Sequence, residues 1–402
     1  MSEKRKDHKG RILRTGESQR KDLIYQYRYT DIRGKRQTIY SSDLKELREK
    51  EKEIQRYIDD GIDYAAGNMT VLELSKRYVS LKQGMRYMTK QTYNTVLNLL
   101  SKEDFGYRQI KDVKMSDAQQ WFLKLHQGGK CYGSISIVRN VVKYAFQMAC
   151  AEDAIRRNPF DFALTDIIPD DSRKRTPLTK EEQDILLKFI REDKVSAKHY
   201  DEFVVLLGTG MRVSEFCGLT KGDLDFENRK IRIDHQLYRL YTGKIGKYYL
   251  EKPKTKGGYR FLPMSDDVYN SLKNILANRK QVETEPVVDG QSGFLLLGER
   301  GNPKVAQNIQ KEMRSILNRY NKKHPDRPIS HLTPHVLRHT FCTNMAQAGL
   351  DIKTLQYLMG HSNADVTLNV YRHMTYEEAA EQIAKIIGFP KTEAQEMQKE
   401  PG

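Results

Sequence analysis

The residues that could carry chemistry are concentrated near the C-terminus, within residues 331–372. Thr333 is a favourable helix N-cap and Pro334 suits the first helical position, so the sequence predicts a helix that begins here. His335 and Arg338 then share one face of its first turns, where free N–H groups and the helix dipole attract anions. A guanidinium beside an imidazole at such a position indicates a phosphate site.

A second histidine and a tyrosine follow this helix. Residues 350–359 have the apolar spacing of another helix, which Gly360 would end, so His361 comes directly after a helix C-terminus. Tyr371 lies ten residues further on, in a third short helical run. A single phosphate would be the common ligand of these side chains.

These residues resemble the C-terminal signature of the tyrosine recombinases, the lambda-integrase-like family. That signature is His-x-x-Arg, then a His or Trp after a Gly, then a Tyr, and its positions here are His335, Arg338, His361 and Tyr371. A lone His-x-x-Arg is usually a solvated helix face, and a lone Tyr is usually half-buried packing. Four matches in order within one stretch favour the family.

An upstream segment resembles the first box of the same family, Gly-x-Arg-x-x-Glu-x-x-x-Leu, with Arg212 and Glu215 at its charged positions. Taken alone, an arginine and a glutamate three residues apart are an ordinary surface pair. Here they follow a glycine-bounded turn, and Val213, Phe216 and Leu219 face the core. We therefore expect Glu215 to hold Arg212 in place, and the resemblance implies that Arg212 is the second phosphate-binding arginine.

A lysine completes the set that the resemblance implies. The pair Gly257 and Gly258 in residues 253–263 predicts a β-hairpin, with Lys256 at its tip on a turn that can move. The family carries its catalytic lysine on such a hairpin, which points to Lys256, and Lys254 is the alternative.

The activity that the resemblance implies is the cutting and rejoining of DNA strands, with Tyr371 as the nucleophile that attacks a backbone phosphorus. The attack would leave a 3′-phosphotyrosine and a free 5′-hydroxyl. Because a phenol with a pKa near 10 is a weak nucleophile at neutral pH, its proton must be accepted, and His335 is the candidate acceptor. Arg212 and Arg338 would bind the non-bridging oxygens.

Two further roles and the absence of cofactors follow from the same resemblance. Lys256 is the candidate general acid for the leaving 5′-oxygen, and His361 would donate a hydrogen bond to the phosphate. Two arginines would supply the charge that a divalent metal supplies in other enzymes, and the sequence contains no evident carboxylate cluster for a metal. Without a Walker-type glycine-rich loop either, we expect neither a metal nor a nucleotide cofactor.

The composition favours a nucleic-acid partner. A net charge of +16 over 402 residues makes a polyanion the natural ligand, with nucleic acid favoured over anionic lipid. The chain has no apolar run long enough to span a membrane, and its N-terminus lacks the apolar segment of a signal peptide. The four cysteines form no Cys-x-x-Cys pair, so we expect a cytoplasmic bacterial protein without structural zinc.

The sequence predicts a multidomain, mainly α-helical protein with small β-sheets. An N-terminal three-stranded sheet plus helix would precede a helical core-binding domain and a mixed α+β catalytic domain. An apolar-faced helix at residues 376–389 would close the catalytic domain and dock on that domain or on a neighbouring subunit. The expected segments are 1–66, 69–160, a linker at 161–175, the catalytic domain at 176–390 and a tail at 391–402.

The N-terminal unit combines a strand pattern with many basic residues. Alternating apolar residues in 23–29 and a return segment at 36–40 predict a hairpin, to which Ile12 and Leu13 could add a third strand, and a helix follows from Leu44. The free face of such a sheet fits a DNA major groove, and a solvated basic surface is the alternative. The unit resembles the arm-type DNA-binding domain of conjugative-transposon integrases, whose contacts would come from Arg28, Arg33, Lys35 and Arg36.

Residues 69–160 predict about four helices, two of them opened by capping boxes at Thr70 and Ser116. By position they resemble the family's core-binding domain, which closes over one side of the duplex. Basic pairs on helix faces and the basic end of the linker are its candidate DNA contacts, with solvated faces as the alternative. These residues are Arg86, Lys90, Arg139, Lys143, Arg173, Lys174 and Arg175.

The catalytic domain should begin with a helix that a capping box opens at Thr179. A buried helix from Phe203 should end near Gly210. The remaining expected elements are strands at 230–234, 247–251 and 294–297 and helices at 266–279 and 305–321.

The leading function is a site-specific recombinase that integrates and excises a mobile element. The basic N-terminal unit favours this over a resolvase that separates chromosome dimers, because the simpler members of the family lack that unit. The expected partners are double-stranded DNA at core and arm sites, further copies of the chain in a homotetramer, an excisionase and a host DNA-bending protein. A non-catalytic DNA-binding protein on the same scaffold and a type IB topoisomerase-like enzyme are the alternatives.

Overall fold

The computed structural model describes residues 5–172, 176–242, 245–253 and 255–361, and it divides the chain into two units, Met1–Arg173 and Lys174–Gly402. Several residues named above lie outside the described part. They are Tyr371, the apolar stripe at 376–389, Lys254, Arg173, Lys174 and Arg175.

The first unit begins with an antiparallel sheet of three strands, in the order β1-β2-β3. The strands and the helix that follows are β1 (Glu17–Gln19), β2 (Tyr25–Thr30), β3 (Arg36–Ser41) and α1 (Leu44–Asp59). Tyr25 and Tyr27 pack against Leu44 and Leu47 of α1, so the expected hairpin and helix are confirmed.

The expected position of the third strand is wrong. Ile12 pairs with Lys6 in an isolated bridge, and Glu17–Gln19 forms the strand instead. Glu17 is fully buried and accepts a hydrogen bond from Arg48 Nε of α1 at 2.8 Å. A polar residue therefore occupies an inward position, which removes the apolar alternation that predicts a strand.

Five helices make up the rest of the first unit: α2 (Tyr64–Gly67), α3 (Val71–Ser80), α4 (Tyr87–Leu100), α5 (Met115–Gln127) and α6 (Tyr132–Ala151). The capping box at Thr70 is confirmed, because its side chain accepts from the backbone of Glu73 and Glu73 accepts from the backbone of Thr70. The box at Ser116 is wrong. The helix begins two residues earlier than a cap at Ser116 implies, with Lys114 in the N-cap position, and Asp117 accepts from the backbone N–H of Lys114.

The expected linker at 161–175 starts too early. Leu164 lies in a single turn of 3-10 helix, and both Leu164 and Ile168 are buried in the same core as Phe122 and Phe160. The helical region therefore extends at least to Ile168. The polar residues and prolines of this stretch suggested a solvated linker, although two of its apolar side chains fill the core.

Seven α-helices and five strands lie in the described residues of the second unit, most of them around one large core. They are α7 (Lys180–Glu192), α8 (Tyr200–Thr209), α9 (Val213–Gly218), β4 (Leu224–Asp225), β5 (Lys230–Ile233), β6 (Gln236–Thr242), β7 (Ile245–Glu251), β8 (Arg260–Pro263), α10 (Asp266–Ala277), α11 (Ala306–Lys323), α12 (Pro334–Gln347) and α13 (Ile352–Met359). Strands β4, β5 and β8 form one antiparallel sheet, and β6 and β7 form a separate hairpin. Phe216, Ile231, Leu262 and Leu337 bring α9, this sheet and α12 into the shared core.

Most helices of this unit are confirmed, and two β predictions are wrong. The segment at Gly257 and Gly258 is a turn of 3-10 helix, Lys256–Gly258, and not a hairpin, because the strand after it pairs with β5. The expected strand at 294–297 is reduced to isolated bridges of Phe294 and Leu297 with residues outside named strands. Among the described residues, the structure holds no helix with the length and apolar character needed to cross a membrane.

The extended boundary of the helical region predicts a difference between two adjacent isoleucines. Ile168 is buried and Ile167 is half-buried, so Ile168→Ala should lower the free energy of unfolding by about 2–5 kcal/mol and Ile167→Ala by less. Chemical denaturation of the purified variants measures this. Equal and small losses at both positions would restore the view of the segment as a solvated linker.

Candidate catalytic site

Helix α12 begins as the sequence predicts and carries two of the expected site residues. Thr333 Oγ1 accepts a hydrogen bond from the Val336 N–H at 3.2 Å, and Pro334 occupies the first turn. His335 is exposed on that turn, whereas Arg338, one turn further along, is buried. The helix start therefore presents the imidazole outward and the guanidinium toward the interior.

The end of α13 fixes the position of His361. Gly360 ends the helix in the left-handed region with φ of +60°, which a residue with a side chain rarely adopts. The backbone N–H of His361 donates to the Gln356 carbonyl at 3.2 Å, and Gln356 Nε2 donates back to the His361 carbonyl at 3.1 Å. His361 is therefore held half-buried at the helix end.

Arg212 is held by Glu215, as expected. Arg212 Nη1 donates to Glu215 Oε1 at 2.8 Å, and the Arg212 backbone N–H donates to Oε2 at 2.8 Å. Gly210, again left-handed at φ of +60°, ends α8 just before this pair. The side chain of Arg212 is 32% exposed and that of Glu215 is 1% exposed, so the arginine faces outward from a buried acid.

A second arginine on the same acid, Arg260 of β8, was not identified from the sequence. Its side chain is completely buried, and it donates to both oxygens of Glu215, from Nη2 at 2.8 Å and from Nη1 at 3.2 Å. The signal that could have revealed it is a charged residue at an inward strand position, because Arg260 alternates with exposed Phe261 and shares its face with buried Leu262.

The last three carbonyls of the α13 end each accept a hydrogen bond from a different arginine. Such carbonyls have no partner within their helix and carry partial negative charge, so cations are favoured beside them. The pairs are Leu358 with Arg260 Nε at 2.7 Å, Met359 with Arg338 Nη2, and Gly360 with Arg212 Nη2 at 3.0 Å. The segment that carries His361 is therefore bound by all three guanidinium groups.

Burial and like charges shift the pKa values of this cluster. Burial, and then the nearby charge of Arg212, lower the pKa of Arg338 to about 9, so its guanidinium stays charged at neutral pH. Burial, and then Arg338 and Arg212, lower the pKa of His361 to about 4, so its imidazole is neutral there. Burial alone would raise the pKa of Glu215, but its hydrogen bonds and charge contacts with Arg260 and then Arg212 lower it.

The described part of the chain thus brings together Arg212, Glu215, Arg338 and His361. His335 lies on the first turn of α12, and Lys256 begins the 3-10 turn that precedes β8. The arrangement concentrates positive charge beside a neutral hydrogen-bond donor, which suits an anion such as a phosphodiester.

Two groups of acidic and histidine side chains elsewhere in the described residues could offer metal ligands. One is His199, Glu202 and Glu312, and the other is Asp223, Asp234 and His235. In the first group Lys304 Nζ already lies 2.7 Å from Glu202 and 3.0 Å from Glu312, and in the second Arg232 lies 2.8 Å from Asp223. Neither group includes a residue of the arginine cluster.

The candidate DNA contacts of the first unit fall into two classes. The first class has side chains exposed to solvent. Arg28 and Arg36 lie on the sheet face opposite the buried tyrosines, and Lys35 lies in the turn before β3. Lys90 is exposed on α4, and Arg86, at the N-cap of that helix, is half-buried. Others bind the protein itself. Arg33 pairs with Asp63 at 3.0 Å, Lys143 pairs with Asp161 at 2.7 Å, and Arg139 donates to the Phe162 carbonyl and lies over its ring.

Comparison with known proteins gives family matches over both ends of the chain. The model described as the phage integrase family matches residues 176–378, and the model described as the DNA binding domain of Tn916 integrase matches residues 1–58. The first match contains every residue of the arginine cluster.

Individual relatives match almost the whole chain. A transposase from transposon Tn1545 of Streptococcus agalactiae and a transposase from transposon Tn916 of Enterococcus faecalis are each 43% identical over 399 residues, which cover 96% of this chain and 97% of the relative. A solved structure of the Tn1549 transposon integrase, residues 82–397, in complex with circular intermediate DNA has a TM-score of 0.73 and 39% identity. It is matched over 79% of this chain and 100% of that one.

The lowered pKa of His361 predicts a pH-dependent stability. An ordinary histidine in the unfolded chain binds a proton below about pH 6.5, whereas folded His361 stays neutral until about pH 4. Protonation therefore favours unfolding, and the stability present above pH 6.5 is lost as the pH falls toward 4. His361→Gln should lose less thermal stability than the wild type between pH 7 and pH 5, as measured by Tm. An identical drop in both proteins would contradict the buried, neutral imidazole.

Proposed function

This chain belongs to the phage integrase family of tyrosine recombinases and is a site-specific recombinase, and we propose that its arginine cluster binds the DNA phosphate at which strands are exchanged. The observation that carries this proposal is the convergence of Arg212, Arg338 and Arg260 on the carbonyls at the end of α13, where Arg212 and Arg260 also share the carboxylate of Glu215. Arg212 is the partly exposed member and would bind a non-bridging oxygen from outside, while Arg338 supplies charge from the buried side.

Tyr371 is the proposed nucleophile, since it follows His361 by ten residues in the family signature. Its phenolic oxygen would form a bond to phosphorus while the bond from phosphorus to the 5′-oxygen breaks. His335 would accept the phenol proton, and Lys256 would give a proton to the leaving 5′-oxygen. The 3′-phosphotyrosine keeps the ester bond, so attack by a second 5′-hydroxyl can rejoin strands without a nucleotide cofactor.

Neutral His361 completes the proposed anion site. A neutral imidazole still has one N–H to donate, so it would bind a phosphate oxygen without adding a charge to the cluster. The charge that stabilises the transition state would come from the guanidinium groups, which makes a divalent metal unnecessary for this step.

The proposed substrate is double-stranded DNA of a mobile element, which the chain would integrate and excise in the bacterial cytoplasm. The Tn1549 relative was solved with circular intermediate DNA, and the N-terminal match is to a DNA-binding domain. We place arm-site contacts on the free sheet face with Arg28 and Arg36, and core-site contacts on the helical region with Lys90. A homotetramer on paired sites, an excisionase and a host DNA-bending protein are the proposed partners.

Neither alternative function is favoured. A non-catalytic DNA-binding protein would not need a buried acid that holds an arginine beside two others. A relaxing enzyme of the topoisomerase IB type would not need a second DNA-binding domain of the Tn916 integrase kind.

The nucleophile gives a direct test on a nicked suicide substrate. Tyr371→Phe should bind core-site DNA like the wild type and form no covalent protein–DNA complex, because it lacks only the attacking oxygen. Tyr376→Phe is the matched control and should retain the complex. Denaturing gels measure the outcome, and a covalent band that persists in Tyr371→Phe but disappears in Tyr376→Phe would move the role to Tyr376.

The free face of the N-terminal sheet gives a second test. Replacing Arg28 and Arg36 together by Ala should weaken arm-site binding and lower the dependence of the binding constant on salt. The variant would contact fewer phosphates, so fewer counterions would be released from the DNA when it binds. The control replaces Lys45 and Lys52, which are exposed on α1 away from the sheet face, and removes the same charge. Equal losses in both double variants, measured by salt titration, would show that net charge and not this face determines binding.

A further inference from the structure

Arg260 makes more contacts with the catalytic region than any role in simple packing requires. Its completely buried guanidinium donates from Nε to the Leu358 carbonyl at 2.7 Å and from Nη1 to the Gly258 carbonyl at 3.2 Å, in addition to its two bonds to Glu215. Four directed bonds therefore join one side chain to three separate segments. Only the planar, forked donor set of an arginine can supply them together.

These three segments each carry a residue of the proposed site. Glu215 holds Arg212, Leu358 lies in the last turn before His361, and Gly258 ends the 3-10 turn that begins at Lys256. The approach is close, since a side chain at Gly360 would place its Cβ 2.9 Å from Arg260 Nη1. A second bond joins the same regions, because the Phe261 N–H donates to Tyr357 Oη at 3.0 Å.

The three segments do not depend on Arg260 equally. Arg212 keeps two bonds to Glu215 and one to the Gly360 carbonyl that do not involve Arg260. The end of α13 is also bound by Arg338. In the described part of this segment, the turn of Lys256–Gly258 has a hydrogen bond from Arg260 to the Gly258 carbonyl, and its backbone bond from Gly258 to Thr255 is internal to the turn region. Loss of Arg260 should therefore displace the lysine turn more than the arginines.

We propose that Arg260 is a positioning residue that sets the turn bearing Lys256 against the arginine cluster, and that it thereby controls proton transfer to the leaving 5′-oxygen. This inference rests on the proposed function, in which Lys256 is the general acid. Arg260 itself touches no substrate, because its guanidinium is enclosed by protein acceptors. It acts by holding two rigid elements, β8 and α13, at a fixed separation from the buried acid.

The test compares two nicked suicide substrates, one with ordinary DNA and one with sulfur in place of the 5′-bridging oxygen. A thiolate leaves without a proton, so cleavage of the sulfur substrate does not need the general acid. Arg260→Lys, which keeps the charge but loses the fork, should slow covalent complex formation on ordinary DNA about 10- to 100-fold, the scale of a misplaced catalytic group. On the sulfur substrate it should stay within about fivefold of the wild type.

Arg279→Lys is the matched control. Arg279 is another buried arginine of the same unit, with both oxygens of Glu285 as partners at 2.7 and 2.8 Å and its Nε bonded to the Phe294 carbonyl at 2.7 Å. It has the same type of contacts and no bond to the cluster in the described residues. Its conversion to lysine should leave the rates on both substrates unchanged, which separates positioning from a general loss of a buried ion pair.

Gly258→Ala perturbs the same turn independently of Arg260. Its added Cβ would lie 2.3 Å from the Cβ of Pro253, so the turn must shift while the bonds of Glu215 stay intact. It should reproduce the substrate pattern of Arg260→Lys, and it decides the question if Arg260→Lys fails to fold or to bind core DNA.

The outcomes are distinct. Slow cleavage of ordinary DNA that sulfur largely restores supports the inference. An equal slowing on both substrates would overturn it, because the defect would then lie in the arginines or in folding, and so would wild-type rates on ordinary DNA. Absence of any covalent complex with the wild type would instead refute the proposed function, so the two failures can be told apart.

Discussion

The C-terminal end of α13 organises the arginine cluster, because its last three carbonyls bind three arginines from three other elements. A helix end normally leaves these carbonyls to water or to a cap. Here they partly neutralise guanidinium groups that would otherwise repel one another in a buried place. The same bonds fix the chain that leaves the helix, so the position of His361 depends on the arginines as much as on its own helix.

The charges of the cluster do not balance, and this imbalance is what suits it to an anion. Among the described residues, Arg212 and Arg260 share the carboxylate of Glu215, and the other hydrogen bonds of the three guanidinium groups go to backbone carbonyls. Burial makes such a charge costly unless a partner completes it. The side chain of Arg260 is completely buried and donates its hydrogen bonds to protein atoms, whereas the side chain of Arg212 is about one-third exposed. The solvent-accessible side of the cluster is therefore the side of Arg212. A phosphate that arrives there would supply the missing negative charge.

The features that were readable from the sequence depend on neighbours close along the chain. Thr179 and Thr333 cap their helices, and Gly210 and Gly360 end theirs, because each of these roles needs only a few adjacent residues. The role of Arg260 could not be predicted from the sequence, since two of its three partners, Glu215 and Leu358, lie 45 and 98 positions away. Two other features were missed because their sequence patterns are misleading. In the third N-terminal strand, Glu17 of a buried ion pair occupies a position where an apolar residue would be expected. In the expected linker, the polar residues around Leu164 and Ile168 obscure the fact that these two side chains are buried in the core.

The distribution of protons in the cluster would couple phosphate binding to the protonation of His361. In the protein alone, burial and then the charges of Arg338 and Arg212 lower the pKa of His361 to about 4, so its imidazole is neutral near pH 7. The arginines keep their charge at that pH. The affinity for an anion would therefore depend on the guanidinium groups and would vary little with pH near neutrality. A bound phosphate adds negative charge beside the same imidazole, and negative charge favours its protonated form. The pKa of His361 should therefore rise when the phosphate binds, which turns a neutral donor into a group better able to share a proton with it. The arginines that lower the proton affinity of His361 in the protein alone are thus the groups that would bind the anion that raises it again.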